Sequence, residues 1–179
     1  MSEDAEQNYC FSLLSLNVRG LNNEIKRKAL FDWLRNQSAQ IIFLQETYST
    51  QALESKWEQE WEGKIIFAHG TNHSKGTAIL FKRGVAVEII DEEIDTYGRF
   101  VFLKVTIENG VFNLLNVYFP NTENEQLHFL NEIRKMLQKK NTEEPLEKLV
   151  IGGGILTVCK TSLLIRRVEI LKSHRINLS

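Results

Sequence analysis

Short apolar runs alternate with amphipathic stretches along the whole chain. Residues 10–18, CFSLLSLNV, read as a strand that ends at Arg19-Gly20, and between Glu24 and Asn36 the apolar Ala29, Leu30, Trp33 and Leu34 recur at helical spacing. The run QIIFLQ at 40–45 is a second strand, closed by Glu46 and Thr47. Strand, helix and strand in that order predict a crossover unit whose two strand ends lie side by side. A polar helix is predicted over 51–60, and KIIFAHG, GTAILFK and VAVEII follow as strands punctuated by Gly70, Gly76 and Gly84. FVFLKVTIE and VFNLLNVYF flank Asn109-Gly110, a pair suited to the positive φ of a type I′ turn, and so predict a hairpin. Pro120 stops that second strand, Thr122 or Asn124 can cap a helix running to Lys140, and LEKLVIGG enters as a further strand after Pro145.

Strands dominate this reading, and most are alternating or wholly apolar. Two packed, mainly antiparallel β-sheets with flanking helices, an α+β sandwich, explain more of the chain than one doubly wound sheet. With 179 residues, 42% of them hydrophobic, the chain can bury one substantial core. The net charge of -1, from 22 basic and 23 acidic residues, gives no global electrostatic case for nucleic acid, so a phosphate-binding surface must be local. Cys10 and Cys159 form no CxxC pair and no zinc-type cluster, which fits a reducing compartment without structural metal. The acidic start MSEDAEQNYC lacks a signal-peptide core and no later run approaches a membrane span. An intracellular protein with no membrane association and no visible targeting signal is expected.

Polar residues then matter by position. Asn17 ends the first strand, Glu46 lies just past the second, Tyr118 and Asn121 end the NVYFPN strand, and Gly152, Gly153 and Gly154 end the last. Four strand ends could converge on one site. A carboxylate, two amides and a phenol around glycine-bared backbone suit a hard cation together with phosphate oxygens, since Mg²⁺ takes few protein carboxylates and keeps room for substrate. Taken singly, each residue also has a bland reading: an asparagine forms turns, a tyrosine beside proline packs, and a lone glutamate is solvated.

The strings LLSLNVRGL, IIFLQET, KGTAILF, GRFVFLKV and LLNVYFPN, in this order, resemble the endonuclease/exonuclease/phosphatase superfamily over residues 11–153. More narrowly, they resemble the apurinic-type endonuclease domain of LINE-type, non-LTR retrotransposons. The resemblance implies a DNase I-like sandwich of two sheets, and nicking of a DNA strand by attack of water on phosphorus, assisted by Mg²⁺ or by Mn²⁺ in its place. It implies DNA as partner, no small-molecule substrate and a nuclear location. By the same resemblance Glu46 ligates the metal, Asn17 helps hold metal and phosphate, Tyr118 orients the phosphate and Asn121 contacts the substrate. Local basic residues Lys26, Arg27, Lys28, Lys75, Lys82, Arg83 and Arg99 are then candidates for contact with a DNA backbone.

The chain departs from that family at two places. Gly152-Gly153 align with the glycines of a Gly-Gly-Asp-x-Asn motif, but Gly154 and Leu156 stand where the Asp and Asn belong, and the later Ser-Asp-His element is absent. The expectation is therefore a domain over 11–153, incomplete at its C-terminus and weakly active or inactive, between an N-terminal tail at 1–10 and a divergent tail at 154–179. A displaced reading frame accounts for the tail. Gly-Ile-Leu-Thr-Val can be encoded GGG ATT TTA ACT GTG, and reading from one nucleotide before the Ile155 codon gives Asp-Phe-Asn-Cys directly after Gly153. Two other readings stand beside this one. Gly154 to Ser162, GILTVCKTS, approaches the phosphate-loop pattern, although Cys159 replaces its second glycine and Leu156, Thr157 and Val158 favour extended backbone. A noncatalytic DNA- or protein-binding module that retains the fold is the third.

Overall fold

Two sheets form, and residue parity along their strands decides what each face meets. The computed structural model describes residues 11–146, 148–154 and 169–170. Its first sheet holds β1 (Leu13–Asn17), β2 (Ile41–Gln45), β3 (Lys64–Ala68) and β4 (Thr77–Phe81) in the order β1-β2-β4-β3. The second holds β5 (Val87–Ile94), β6 (Phe100–Ile107), β7 (Gly110–Tyr118), β8 (Leu149–Gly154) and the short β9 (Glu169–Ile170) in chain order. The helices are α1 (Glu24–Arg35), α2 (Glu54–Trp61) and α3 (Glu123–Glu143), with a 3₁₀ turn over Gln51–Leu53 leading into α2.

Ile41 and Phe43 of β2 turn toward the second sheet, where they join Leu103 and Val105 of β6 and Phe112 and Leu114 of β7 in a dry layer between the sheets. Ile42 and Leu44, one position out of phase, turn the other way and pack with Leu30, Phe31 and Leu34 of α1 and Trp57 and Trp61 of α2. On the far side, Phe102, Leu115 and Val117 meet Phe129, Ile133 and Leu137 of α3. The result is helix, sheet, sheet, helix, with each side chain so buried contributing about 1.5–3 kcal/mol relative to exposure. The Asn23 side chain accepts from the Lys26 backbone N–H at 3.0 Å and caps α1.

Among the described strands antiparallel pairings outnumber parallel ones, four to three, and each sheet contains both kinds. The α1 crossover makes β1 and β2 parallel, and the α3 crossover does the same for β7 and β8. The hairpin predicted between β6 and β7 is present, but its turn is displaced by one residue. Ile107 pairs with Gly110, so Glu108 (φ 49°) and Asn109 (φ 66°) occupy the two left-handed positions in place of Asn109-Gly110. Moving the turn by one residue slides the pairing by two, which leaves every side chain on the same face. The apolar pattern is blind to that slip.

Gly152 has a structural task of its own. In phase with Val150, it faces the layer between the sheets, and a Cβ there would overlap the Phe43 ring. Bare backbone at Gly152 is what lets β8 approach β2. Except for Gly154 and the two residues of β9, the divergent tail and the phosphate-loop-like string lie outside the described residues, as does the N-terminal tail.

Candidate active site

The parallel register of β1 on β2 places Asn17 opposite Gln45, so Glu46 leaves its strand beside the Asn17 side chain. Asn17 Nδ2 donates to Glu46 Oε1 at 2.7 Å, and Asn17 Oδ1 accepts from the Arg19 backbone N–H at 3.2 Å. The Tyr48 hydroxyl donates to Glu46 Oε2 at 3.3 Å. Both carboxylate oxygens are thereby oriented. The backbone here is unusual, because Arg19 (φ 47°), Glu46 (φ 54°) and Tyr48 (φ 56°) all adopt left-handed conformations. Such conformations cost about 1–3 kcal/mol each and persist only where the surroundings enforce them.

Those surroundings are a ladder of backbone bonds continuing past the strands. Val18 N–H donates to Gln45 O at 2.9 Å, Gly20 N–H to Glu46 O at 2.6 Å and Leu21 N–H to Thr47 O at 3.0 Å. Gly20, at φ 84°, must be glycine both for its conformation and because the Tyr48 ring lies where a Cβ would stand. Lys26 Nζ reaches back from α1 to the carbonyls of Val18 at 2.8 Å and Arg19 at 3.2 Å. Burial, and then the charge of Arg19, holds its pKa below the ordinary lysine value.

Tyr118 approaches from the second sheet. Its pKa is raised first by burial, then by the negative charge of Glu46 and by Tyr48, while a hydrogen bond with the Asn121 side chain opposes the rise. The phenol therefore keeps its proton and remains a donor through neutral pH. Asn17, Glu46, Tyr118 and Asn121 are thus brought to one corner, where the ends of β1, β2 and β7 meet. Gly154 stands in register with Tyr118, at the same end of β8. Among the described residues no group of three His, Cys, Asp or Glu side chains is placed to hold a metal ion.

Several residues that shape this corner escape the sequence reading. Gln45 and Asn116, both fully buried, join the sheets directly beneath it. Gln45 Nε2 donates to Asn116 Oδ1 at 2.7 Å and to Ser15 Oγ at 3.1 Å, and Asn116 Nδ2 donates to the carbonyls of Leu44 at 2.9 Å and Ala78 at 2.8 Å. A signal was present, since Asn116 is in phase with the core-facing Phe112 and Leu114. Tyr48 carried no such signal, because its position depends on Gly20 and on two left-handed residues.

The basic residues mostly have other work. Arg27 is buried and grips Glu60 with two bonds of 2.6 and 2.9 Å, Lys28 pairs with Glu24, and Arg99 is held by Asp95 and Glu132. Lys82 Nζ donates to the carbonyls of Arg35 and Gln37. Arg83 reaches an exposed Glu62 at 3.7 Å.

The sequence pattern of the Endonuclease/Exonuclease/phosphatase family matches residues 14–146. A curated relative, the Transposon TX1 uncharacterized 149 kDa protein of Xenopus laevis, is 32% identical over 142 residues; these make up 79% of this chain and 11% of that protein. The chain thus spans about a tenth of that relative's length. Among solved structures, an endonuclease/exonuclease/phosphatase family protein from Bacteroides thetaiotaomicron superposes with a TM-score of 0.62 at 11% identity, over 80% of this chain and 62% of that one. TDP2 of D. rerio, complexed with a single strand DNA product, superposes with a TM-score of 0.55 at 20% identity, over 79% of this chain and 58% of its own. No described helix is long and apolar enough to cross a membrane.

Proposed function

We propose, from the premise that this chain belongs to the endonuclease/exonuclease/phosphatase family, that its corner of strand ends is a divalent-cation and phosphodiester site of the DNA-nicking type. The observation that carries this reading is the 2.7 Å bond from Asn17 to Glu46, together with the field of Glu46 felt at Tyr118 across the sheets. One anionic group and neutral hydrogen-bonding groups are what a hard, hydrated cation and a phosphate need. The donor set fits Mg²⁺ as a partial shell. Glu46 would supply the carboxylate ligand and Asn17 would orient it, and the cation would supply charge stabilisation at the phosphate oxygens. Tyr118, protonated, donates to a nonbridging phosphate oxygen, and Asn121 fixes the phenol through their shared hydrogen bond. The 32% identity to a transposon protein supports DNA as the substrate class. That the described residues bring a single carboxylate, Glu46, to this corner also favours a second reading, in which the chain binds DNA and cuts it feebly or not at all.

A nicking assay at high protein concentration separates the two. Supercoiled plasmid with Mg²⁺ is expected to relax slowly, with the activity lost in EDTA and in Glu46→Gln. Complete absence of nicking with DNA binding retained would favour the binding module. Nicking that survives Glu46→Gln would remove Glu46 from the site.

A further inference from the structure

Three loops and the end of β7 are stitched together around the proposed site, and one of the loops presents an aromatic ring to solvent. Tyr48 N–H donates to Lys75 O at 3.0 Å, Thr47 N–H to Gly76 O at 3.0 Å, Gly76 N–H to Gly98 O at 3.0 Å and Tyr118 N–H to Arg99 O at 2.7 Å. The loop Asp95–Arg99 is therefore tied both to the segment carrying Glu46 and to Tyr118. At its tip, Tyr97 is 65% exposed, an unusual state for a tyrosine in a short, well-bonded loop.

Its ring is braced rather than loose. The Arg99 guanidinium lies 5.2 Å from the Tyr97 ring centre and 4.9 Å from that of Phe129, so Arg99 is a spacer between an exposed and a buried aromatic. Two bonds to Asp95 and one ion pair to Glu132 fix that guanidinium and neutralise it. Lys75 Nζ stands 6.0 Å from the Tyr97 ring centre and, among the described residues, has no carboxylate within ion-pair distance. A ring so largely exposed, beside a cation with no carboxylate partner among the described residues, is the pairing that receives a nucleobase and its phosphate.

We propose that Tyr97 is a stacking platform for one unpaired base of the DNA strand held at the Glu46 corner, with Lys75 on the adjacent phosphate. This rests on the DNA reading above and adds a positioning residue for unstacked nucleotides next to the cleavage position. Duplex bases hide their faces, so the platform favours single-stranded or locally opened DNA.

The test uses the whole chain, a fluorescein-labelled single-stranded oligonucleotide, its duplex and a single-stranded oligonucleotide carrying 2-aminopurine. Wild-type chain is expected to bind the single strand and quench the 2-aminopurine, as stacking does. Tyr97→Ala should weaken single-strand binding about tenfold and abolish the quench. Tyr97→Phe, which keeps the ring, should stay within about twofold of wild type, and Lys75→Gln should flatten the salt dependence. Wild-type binding and quenching by Tyr97→Ala would overturn the platform while leaving the DNA reading intact. Failure of the wild-type chain to bind either DNA would overturn both.

Discussion

Supercoiled plasmid with Mg²⁺ is expected to be nicked at least about a hundredfold more slowly by this chain than by a version whose residues after Gly153 come from the frame displaced by one nucleotide. Position 154 stands in register with Tyr118, whose phenol senses the Glu46 charge. An aspartate there would bring a second carboxylate to the corner, and an asparagine two residues on would bring another amide. Glycine and leucine supply neither. Loss of one acid-base group alone costs about a hundredfold to ten-thousandfold, and the displaced frame restores two polar groups at once. Equal rates from the two proteins would refute the displaced-frame reading and leave Gly154 and Leu156 as substitutions in a divergent relative. The nucleotide sequence after the Gly153 codon checks the same reading independently.

The second large effect is on stability. Asn116→Ala is expected to lower the unfolding free energy by about 3 kcal/mol or more, read as a shift in the urea midpoint at unchanged slope. Asn116 makes three hydrogen bonds inside the layer between the sheets, to Gln45, Leu44 and Ala78. Removing its amide strands one Gln45 donor where water does not reach, takes an additional bond from two strand carbonyls and leaves a cavity, and a buried orphan alone costs about 1–3 kcal/mol. Gln45 Oε1 already lacks a partner among the described residues, so the network has little slack. Because Gln45 immediately precedes Glu46, the same substitution should loosen the carboxylate. A loss below about 1 kcal/mol would mean that water replaces these bonds.

Much of the sandwich was legible because strand parity is strict. The apolar run QIIFLQ predicts β2, and in the structure successive residues of that strand alternate, Ile42 and Leu44 meeting the helices and Ile41 and Phe43 the opposing sheet. The crossover from β1 to β2 was likewise readable, and with it the adjacency of Asn17 and Glu46. The β6–β7 turn was not, since a two-residue slip keeps the same faces and only the far ends of the strands, where Tyr118 meets Arg99, distinguish the registers. Arg27 misled for a different reason. It lies on the buried stripe of α1 with Leu30 and Leu34, but its partner Glu60 is 33 residues away and invisible to local periodicity. Resemblance supplied the roles proposed for Glu46 and Tyr118, whereas Tyr48 could be found only once the left-handed turn at Glu46 was known.

Whether Glu46 holds a divalent cation is tested most directly by titrating the whole chain with Mn²⁺ and following the free-ion electron paramagnetic resonance signal. One Mn²⁺ per chain should bind weakly, be displaced by Mg²⁺, and be lost in a Glu46→Gln variant that melts like wild type. Binding that is unchanged in Glu46→Gln, or no binding to the wild-type chain at millimolar Mn²⁺, would contradict the assignment of this corner as a cation site.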